Sequence, residues 1–339
     1  MNRRIVTLIV ALVPIVVFGL IGANATVPYA AMGPGPTINA LGDLDDQPII
    51  ALEGVESDET TGNLNLTTVA VRTGLTLFDA IGFWLSGRDG IVPIDEVIPP
   101  GRSNDEMREI NRLEFERSES TAEVAALRYL DYPFVVTVAG FIEDSPSASL
   151  LKEGDILTSV NDEPVVSAVD VPDQLEGFAP GEPVTVGFTR DGVAGEATIP
   201  LGSHPEEDKG ILGISVADEP LVDFDVTFNV DGVGGPSAGL ILSLALIDKL
   251  SPGELNGGRF IAGTGTIDSA GNVGPIGGIR YKLIAAQEAG ASEFLVPADN
   301  CVEARAHAVD GLELVRVEKL ADAVGFLEDL EAGRDVPTC

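Results

Sequence analysis

Arg3 and Arg4 precede an uncharged, largely apolar run from Ile5 to Ile21, and Ala23-Asn24-Ala25 follows it. Seventeen residues are long for the core of a cleaved export signal and just enough, as a helix, to cross a bilayer. An uncleaved single-pass anchor is the preferred reading over cleavage after Ala25, which would release a secreted chain; a buried core helix is the bland alternative. Basic residues on the N-terminal flank keep that end in the cytoplasm. Everything after residue 25 is then expected outside the cell membrane.

Such a location bears on the two cysteines, Cys301 and Cys339. An even count in an exported chain suggests a disulfide, here closing a loop of 38 residues and adding about 3–4 kcal/mol on a loop-entropy argument. Neither cysteine has the company of a nucleophile or a zinc ligand, because the chain holds only two histidines, His204 and His307. No metal and no cofactor are implied. Acidic residues number 54 against 20 basic, five of them lysine, for a net charge of -34. That surface repels phosphates, so nucleic acid is excluded as a partner.

Along the chain, residues 1–25 form the signal anchor and 26–130 an N-terminal extracytoplasmic region. In that region Pro28 to Pro36 reads as extended, Leu64 to Arg72 as a strand, and Ser103 to Leu130 as a charged helix opened by Ser103-Asn104-Asp105. Residues 131–203 change to short strands and turns: FVVTVAGFI, SPSASLLKEGDILTSVND, a helix-like VDVPDQLEGF, and a hairpin through Arg190-Asp191-Gly192. That order resembles a PDZ domain. The resemblance implies a peptide added as an extra strand beside Val135 to Val138 and a helix around Val169 to Leu175, with a carboxylate-binding loop near Tyr132 to Phe134. No glycine-rich loop is visible there. His204 to Asp208 reads as a polar linker, and 204–339 as an α/β domain.

The chemistry is concentrated in that last stretch. Gly232 to Gly239 reads GVGGPSAG and leads into an apolar helix from Leu240 to Leu250, so Ser237 stands at a helix entrance. Unpaired N–H groups there suit a developing oxyanion, although a serine at this place also commonly serves as a plain helix cap. Gly277-Gly278 precedes IRYKLIAAQEAG, in which Ile279, Lys282, Leu283, Ala286 and Ala289 share one face. A lysine on an apolar face loses hydration of its charge, which lowers its pKa toward the range of a general base. A lysine that snorkels to water is the ordinary alternative.

GGPSAG, GTGTIDSAGNVGPIGGIRYK and AAQEAGASEFLVP together resemble the proteolytic domain of Lon-type Ser/Lys peptidases, over about Gly210 to Leu330. With the anchor and the PDZ-like segment, nearly the whole chain resembles membrane-anchored bacterial PDZ/Lon-like peptidases. The resemblance implies an α/β, multidomain chain with Ser237 as nucleophile, Lys282 as base, Thr264 as a support for the lysine amine, and the amides of Gly235 and Ser237 at the oxyanion. It implies a peptide or protein substrate, membrane attachment through the N-terminal helix, and ring-like homo-oligomers, which some relatives form.

Two departures matter. The acidic residue that ATP-dependent Lon enzymes carry three places before the serine is Gly234 here, and Asp231 is not assumed to replace it. No glycine is followed by lysine, so G-x-x-x-x-G-K-[ST] is absent and ATP-independent endopeptidase action on unfolded or exported proteins is expected. Rival hydrolases lack support: Gly235-Pro236-Ser237-Ala238-Gly239 fits G-x-S-x-G in letters, but His204 lies in the linker and His307 in a late helix, so no histidine triad is indicated, and H-E-x-x-H is absent. A catalytically silent PDZ scaffold is the rival from another class.

Overall fold

The computed structural model describes residues 3–58, 60–207, 209–230 and 232–339; Asp208 of the expected linker and Asp231 lie outside them. In chain order its elements begin with α1 (Arg3–Asn24), β1 (Tyr29–Asn39), β2 (Asn63–Arg72), α2 (Leu77–Ser86), β3 (Gly90–Pro93) and α3 (Asn104–Tyr129). Then come β4 (Phe134–Phe141), β5 (Ile156–Val160), α4 (Asp170–Gln174), β6 (Pro183–Arg190), β7 (Val193–Pro200) and β8 (Ile214–Pro220). The last stretch carries α5 (Gly239–Leu250), β9 (Phe260–Gly263), β10 (Thr266–Ile267), β11 (Val273–Gly274) and α6 (Ile279–Ala289). It ends with β12 (Glu293–Pro297), α7 (Cys301–Ala306), β13 (Glu313–Val317) and α8 (Leu320–Glu331).

The chain divides into two units, residues 1–126 with 226–339, and residues 127–225. The division corrects the expected domain limits. Residues 26–130 are not a separate region, because β1 and β2 are interior strands of the larger unit's sheet, ordered β13-β12-β9-β2-β1-β3. β2 runs parallel to β9, Asn63 against Phe260, and antiparallel to β1. Its alternation serves that position: Leu64 and Leu66 are almost completely buried. The Gly/Pro-rich segment that reads as extended is thus an interior strand, whose irregularity is confined to a bulge between Pro34 and Thr37.

On the C-terminal side of this unit, α6 ends as expected at Gly290, in the left-handed conformation with φ 98°. Cys301 and Cys339 are joined by a disulfide, and the Cys339 N–H donates to the Leu314 carbonyl at 2.9 Å. The C-terminus is therefore tied along β13.

The smaller unit is an antiparallel sheet, β7-β6-β5-β4-β8, closed by α4. Val136, Val138, Leu157, Val160, Val184, Val186 and Ile199 form its core. Asp191 and Gly192 both take positive φ, 52° and 75°, the pairing demanded by a tight hairpin between twisted strands. The buried Asp155 accepts two bonds of 2.6 Å from Arg190, which hold its carboxyl below the usual range.

Two expectations fail here. The unit does not end at residue 203, since β8 pairs with β4 along nearly its whole length. Nor can a peptide add beside Val135 to Val138, because β4 already lies between β5 and β8. On that side the edge of the sheet is β8. The glycine-bearing loop missing near Tyr132 to Phe134 stands before that strand instead, as Gly210-Ile211-Leu212-Gly213, with Gly213 at φ 69°.

Candidate active site

Ser237 is positioned by backbone pairing on both sides. Its carbonyl accepts from the Gly265 N–H and from Thr264 Oγ1, each at 3.0 Å, while the Leu240 N–H donates to the Gly265 carbonyl at 3.2 Å. The start of α5 is thereby held against the segment leaving β9. That close approach requires Gly239, where a Cβ would stand 2.8 Å from Ile267 Cγ2 and 3.1 Å from Ser118 Oγ. Helix α3 fixes the other side of the loop. The Gly235 N–H donates to the Asn111 carbonyl at 2.8 Å and Ser118 Oγ donates to the Pro236 carbonyl at 3.1 Å. The residue at the cap position of α5 is Ala238 and no side chain caps the helix, so capping does not use the Ser237 hydroxyl.

Lys282 lies in the first turn of α6 and is 2% exposed. Its Nζ is 2.8 Å from Ser237 Oγ, 2.9 Å from Thr264 Oγ1 and 3.1 Å from the Thr67 carbonyl oxygen. Among the described residues no carboxylate pairs with it. Burial alone pushes the ammonium pKa down to about 7.

The three contacts identify which form does what. A carbonyl oxygen can only accept, and Thr264 Oγ1 spends its own hydrogen on the Ser237 carbonyl, so it too must accept. A neutral amine has two hydrogens and one lone pair. Directing both hydrogens to Thr67 and Thr264 leaves the lone pair facing the Ser237 hydroxyl. The ammonium form finds three acceptors in the same place, so the group can gain and lose a proton with its hydrogen bonds satisfied in either state.

Of the expected residues, Ser237, Lys282 and Thr264 thus converge. Gly235 stands differently: its positive φ of 84° turns its N–H onto Asn111, leaving the Ser237 N–H as the one of the two expected oxyanion donors without an acceptor among the described residues. Thr67, Asn111 and Ser118 were not foreseen. They act through backbone groups or support backbone groups, and no motif marks them. The site opens into a cleft of about 740 Å³, whose walls include Met32, Leu66, Val69, Pro236 and Ile276. No histidine lines it; His204 Nδ1 accepts from the N–H groups of Glu206 and Glu207 in the other unit, and His307 ends α7.

Comparison with known proteins finds two domain families in the chain. Residues 231–326 match the model of the Lon protease (S16) C-terminal proteolytic domain, and residues 102–201 match that of a PDZ domain. The chain pairs a PDZ domain with a Lon-type proteolytic domain. It is 47% identical to Lon protease 1 of Sorangium cellulosum over 66 residues, 20% of this chain and 8% of the relative. With the archaeal Lon protease of Methanothermobacter thermautotrophicus it shares 38% over 96 residues, 28% of this chain and 15% of that one.

A probable periplasmic serine endoprotease, DegP-like, of Ectopseudomonas mendocina is 35% identical over 79 residues, 23% of this chain and 17% of the relative. These matches span only 8 to 17% of the relatives' own lengths. Among solved structures, the PDZ domain of an SdrC-like protein from Listeria monocytogenes is similar, with 22% identity over 24% of this chain and 86% of that one and a TM-score of 0.23. The PDZ match runs from inside the larger unit, through α3, but stops short of β8. The names and models support a serine protease function and peptide or protein binding.

Proposed function

We propose that the chain is a serine endopeptidase in which Ser237 is the nucleophile and Lys282 the general base, acting without ATP on unfolded or exported proteins outside the cytoplasmic membrane. The observation that carries this reading is a buried lysine amine, its pKa brought to about 7, at hydrogen-bond distance from a serine hydroxyl beside an open cleft. Lys282 Nζ takes the Ser237 proton as Oγ attacks the peptide carbonyl, and the carbonyl oxygen becomes the oxyanion against the Ser237 N–H. The tetrahedral intermediate expels the amine, which receives the proton from the Lys282 ammonium. Water, deprotonated by the same amine, then resolves the ester.

Substrate presentation follows from strand edges. Beyond Leu66, β2 has no strand partner among the described residues on the side of β9, and Thr67 to Val71 border the cleft. An extended substrate can pair there, which suits unfolded chains over folded ones. In the PDZ unit the corresponding edge is β8, where a peptide would lie between that strand and α4, its terminal carboxylate at Gly210 to Gly213. α1 is read as the membrane anchor, with both units outside. The absence of a phosphate-loop sequence favours action without nucleotide.

A silent peptide-binding scaffold is the second reading, and the engagement of the Gly235 N–H by Asn111 is the observation in its favour. Incubating the detergent-solubilised full chain and its Ser237→Ala variant with an unfolded protein, without nucleotide, and counting new peptide termini by mass spectrometry separates the two. Termini made by the wild type alone are expected. Equal numbers from both would remove Ser237 from the reaction, and none from either would favour the scaffold.

A further inference from the structure

Helix α2 turns its apolar stripe away from the protein. Leu77, Phe78, Ile81, Trp84 and Leu85 recur at the spacing of a core-facing helix, yet they are 46, 51, 43, 69 and 70% exposed, and no residue of the helix is buried. The lone charge within it, Asp79, is consumed in a capping box with Thr76. This is not a stray exposed leucine but a continuous face, and such faces mark contact sites.

Its position says what covers it. α1, 22 residues and about 33 Å long, is apolar from Thr7 to Asn24 and scarcely buried. As the chain leaves α1, Thr26 bridges to Thr76, and the Val27 N–H donates to the Leu75 carbonyl at 2.8 Å. A Cβ on Gly22 would stand 3.0 Å from the Phe78 ring. α2 therefore starts beside the last turn of α1. On the reading of α1 as a membrane anchor, on which this step rests, α2 starts at the bilayer surface.

Tyr29, 43% exposed, flanks the same groove as Trp84, and amphipathic aromatic rings of this kind collect at the lipid–water boundary. At the other end of the helix stand Arg72, Arg88 and Arg280, paired respectively with Asp89, Glu288 and the Gly87 carbonyl. We infer that α2 is an in-plane membrane helix, whose Phe78, Ile81, Trp84 and Leu85 side chains enter the lipid leaflet at the C-terminal end of α1 and seat the Lon-type unit against the bilayer. Lipid is favoured over a second protein surface by continuity with α1, the uncharged stripe and the flanking aromatic rings.

Trp84 is the only tryptophan in the chain, so its fluorescence reports α2 alone. The full chain would be reconstituted in phosphatidylcholine vesicles, with bromines placed at shallow or deep acyl positions, and checked by flotation. Expected are a blue-shifted emission and strong quenching by the shallow bromines, matching a helix about 5–10 Å below the surface, with little quenching by aqueous acrylamide. Leu85→Glu should move the emission back to the red and restore acrylamide quenching, while flotation stays.

Retained flotation with acrylamide quenching of the unaltered chain would overturn the inference, leaving the anchor intact. So would shielding from both quenchers, which would assign the face to a protein partner or a second copy. Loss of flotation would overturn the anchor reading and the inference with it.

Discussion

Lys282, against the start of α5, and Asp248, in its last turn, are both ionisable groups shut away from water, at 2% and 1% exposure. Burial moves each toward its neutral form, the lysine down to about 7 and the aspartate up to about 6. Their surroundings differ. Lys282 has an acceptor for every hydrogen it can carry, one of them a hydroxyl bordering an open cleft. Asp248 accepts the Leu255 N–H at 2.5 Å through one oxygen, while the other has no partner among the described residues, and its charge would face the negative end of the helix dipole. A perturbed pKa marks burial in both places; only at Lys282 does it come with a reacting group and an opening.

The sharpest way to break this contrast is by activity. Lys282→Ala should lower kcat/KM by about 10³-fold or more, whereas Asp248→Asn should leave it within about twofold, as peptide-cleavage kinetics would read. Comparable losses in both would end the distinction.

Stability should show the reverse of function. A lysine pKa lowered from 10.5 to about 7 in the folded chain gives a contribution that is present above pH 10.5 and lost as pH falls through 7. The full effect is roughly 4–5 kcal/mol below pH 7. Lys282→Met should therefore stabilise the chain at pH 6 by about 2 kcal/mol, after losses of about 2–3 kcal/mol from the abandoned acceptors Thr67 and Thr264, and should destabilise it by about 2 kcal/mol at pH 10, where those losses stand almost alone. Denaturant melts at the two pH values would check it.

Thr264→Val removes one acceptor while keeping the shape of the side chain. It should cost about 10- to 100-fold in kcat with little change in KM, because it misplaces the amine and leaves the cleft intact. A change confined to KM would give Thr264 a substrate-binding role instead.

The smallest effect is expected at Asp248. Its folded-state pKa is raised from 3.8, so its contribution is present below pH 3.8 and lost as pH rises through 6. Asp248→Asn should recover about 1 kcal/mol at pH 8 and nothing at pH 4.

The sequence made α1, α3, α5, α6 and the approach of Lys282 to Ser237 legible because their signals are local, whereas α2 was not read from it. The stripe on α6, the left-handed stop at Gly290 and the glycines around Ser237 each act within a few residues. What stayed hidden depends on distant pairing. β1, with its two prolines and two glycines, has the composition of a spacer, and only its ladder with β2 makes it a strand. β2 in turn meets β9 nearly 200 residues later, and the Thr67 carbonyl reaches Lys282 across 215. The peptide edge was misplaced for the same reason. β8 follows the hairpin that seemed to close the PDZ unit, and pairing alone reveals that it covers β4. A backbone carbonyl in a candidate site carries no residue-type signature, so Thr67 and Asn111 could not be found by motif.

The pH dependence of kcat/KM for a short peptide ester, measured on the full chain between pH 5 and 10, tests the role of Lys282 most directly. A general base whose pKa burial has brought to about 7 predicts a rate that rises about tenfold per pH unit below that value and levels above it, and that is abolished in Ser237→Ala. A rate that does not change across pH 7, or keeps climbing to pH 10 as an ordinary lysine would require, would contradict a buried neutral amine as the base for Ser237.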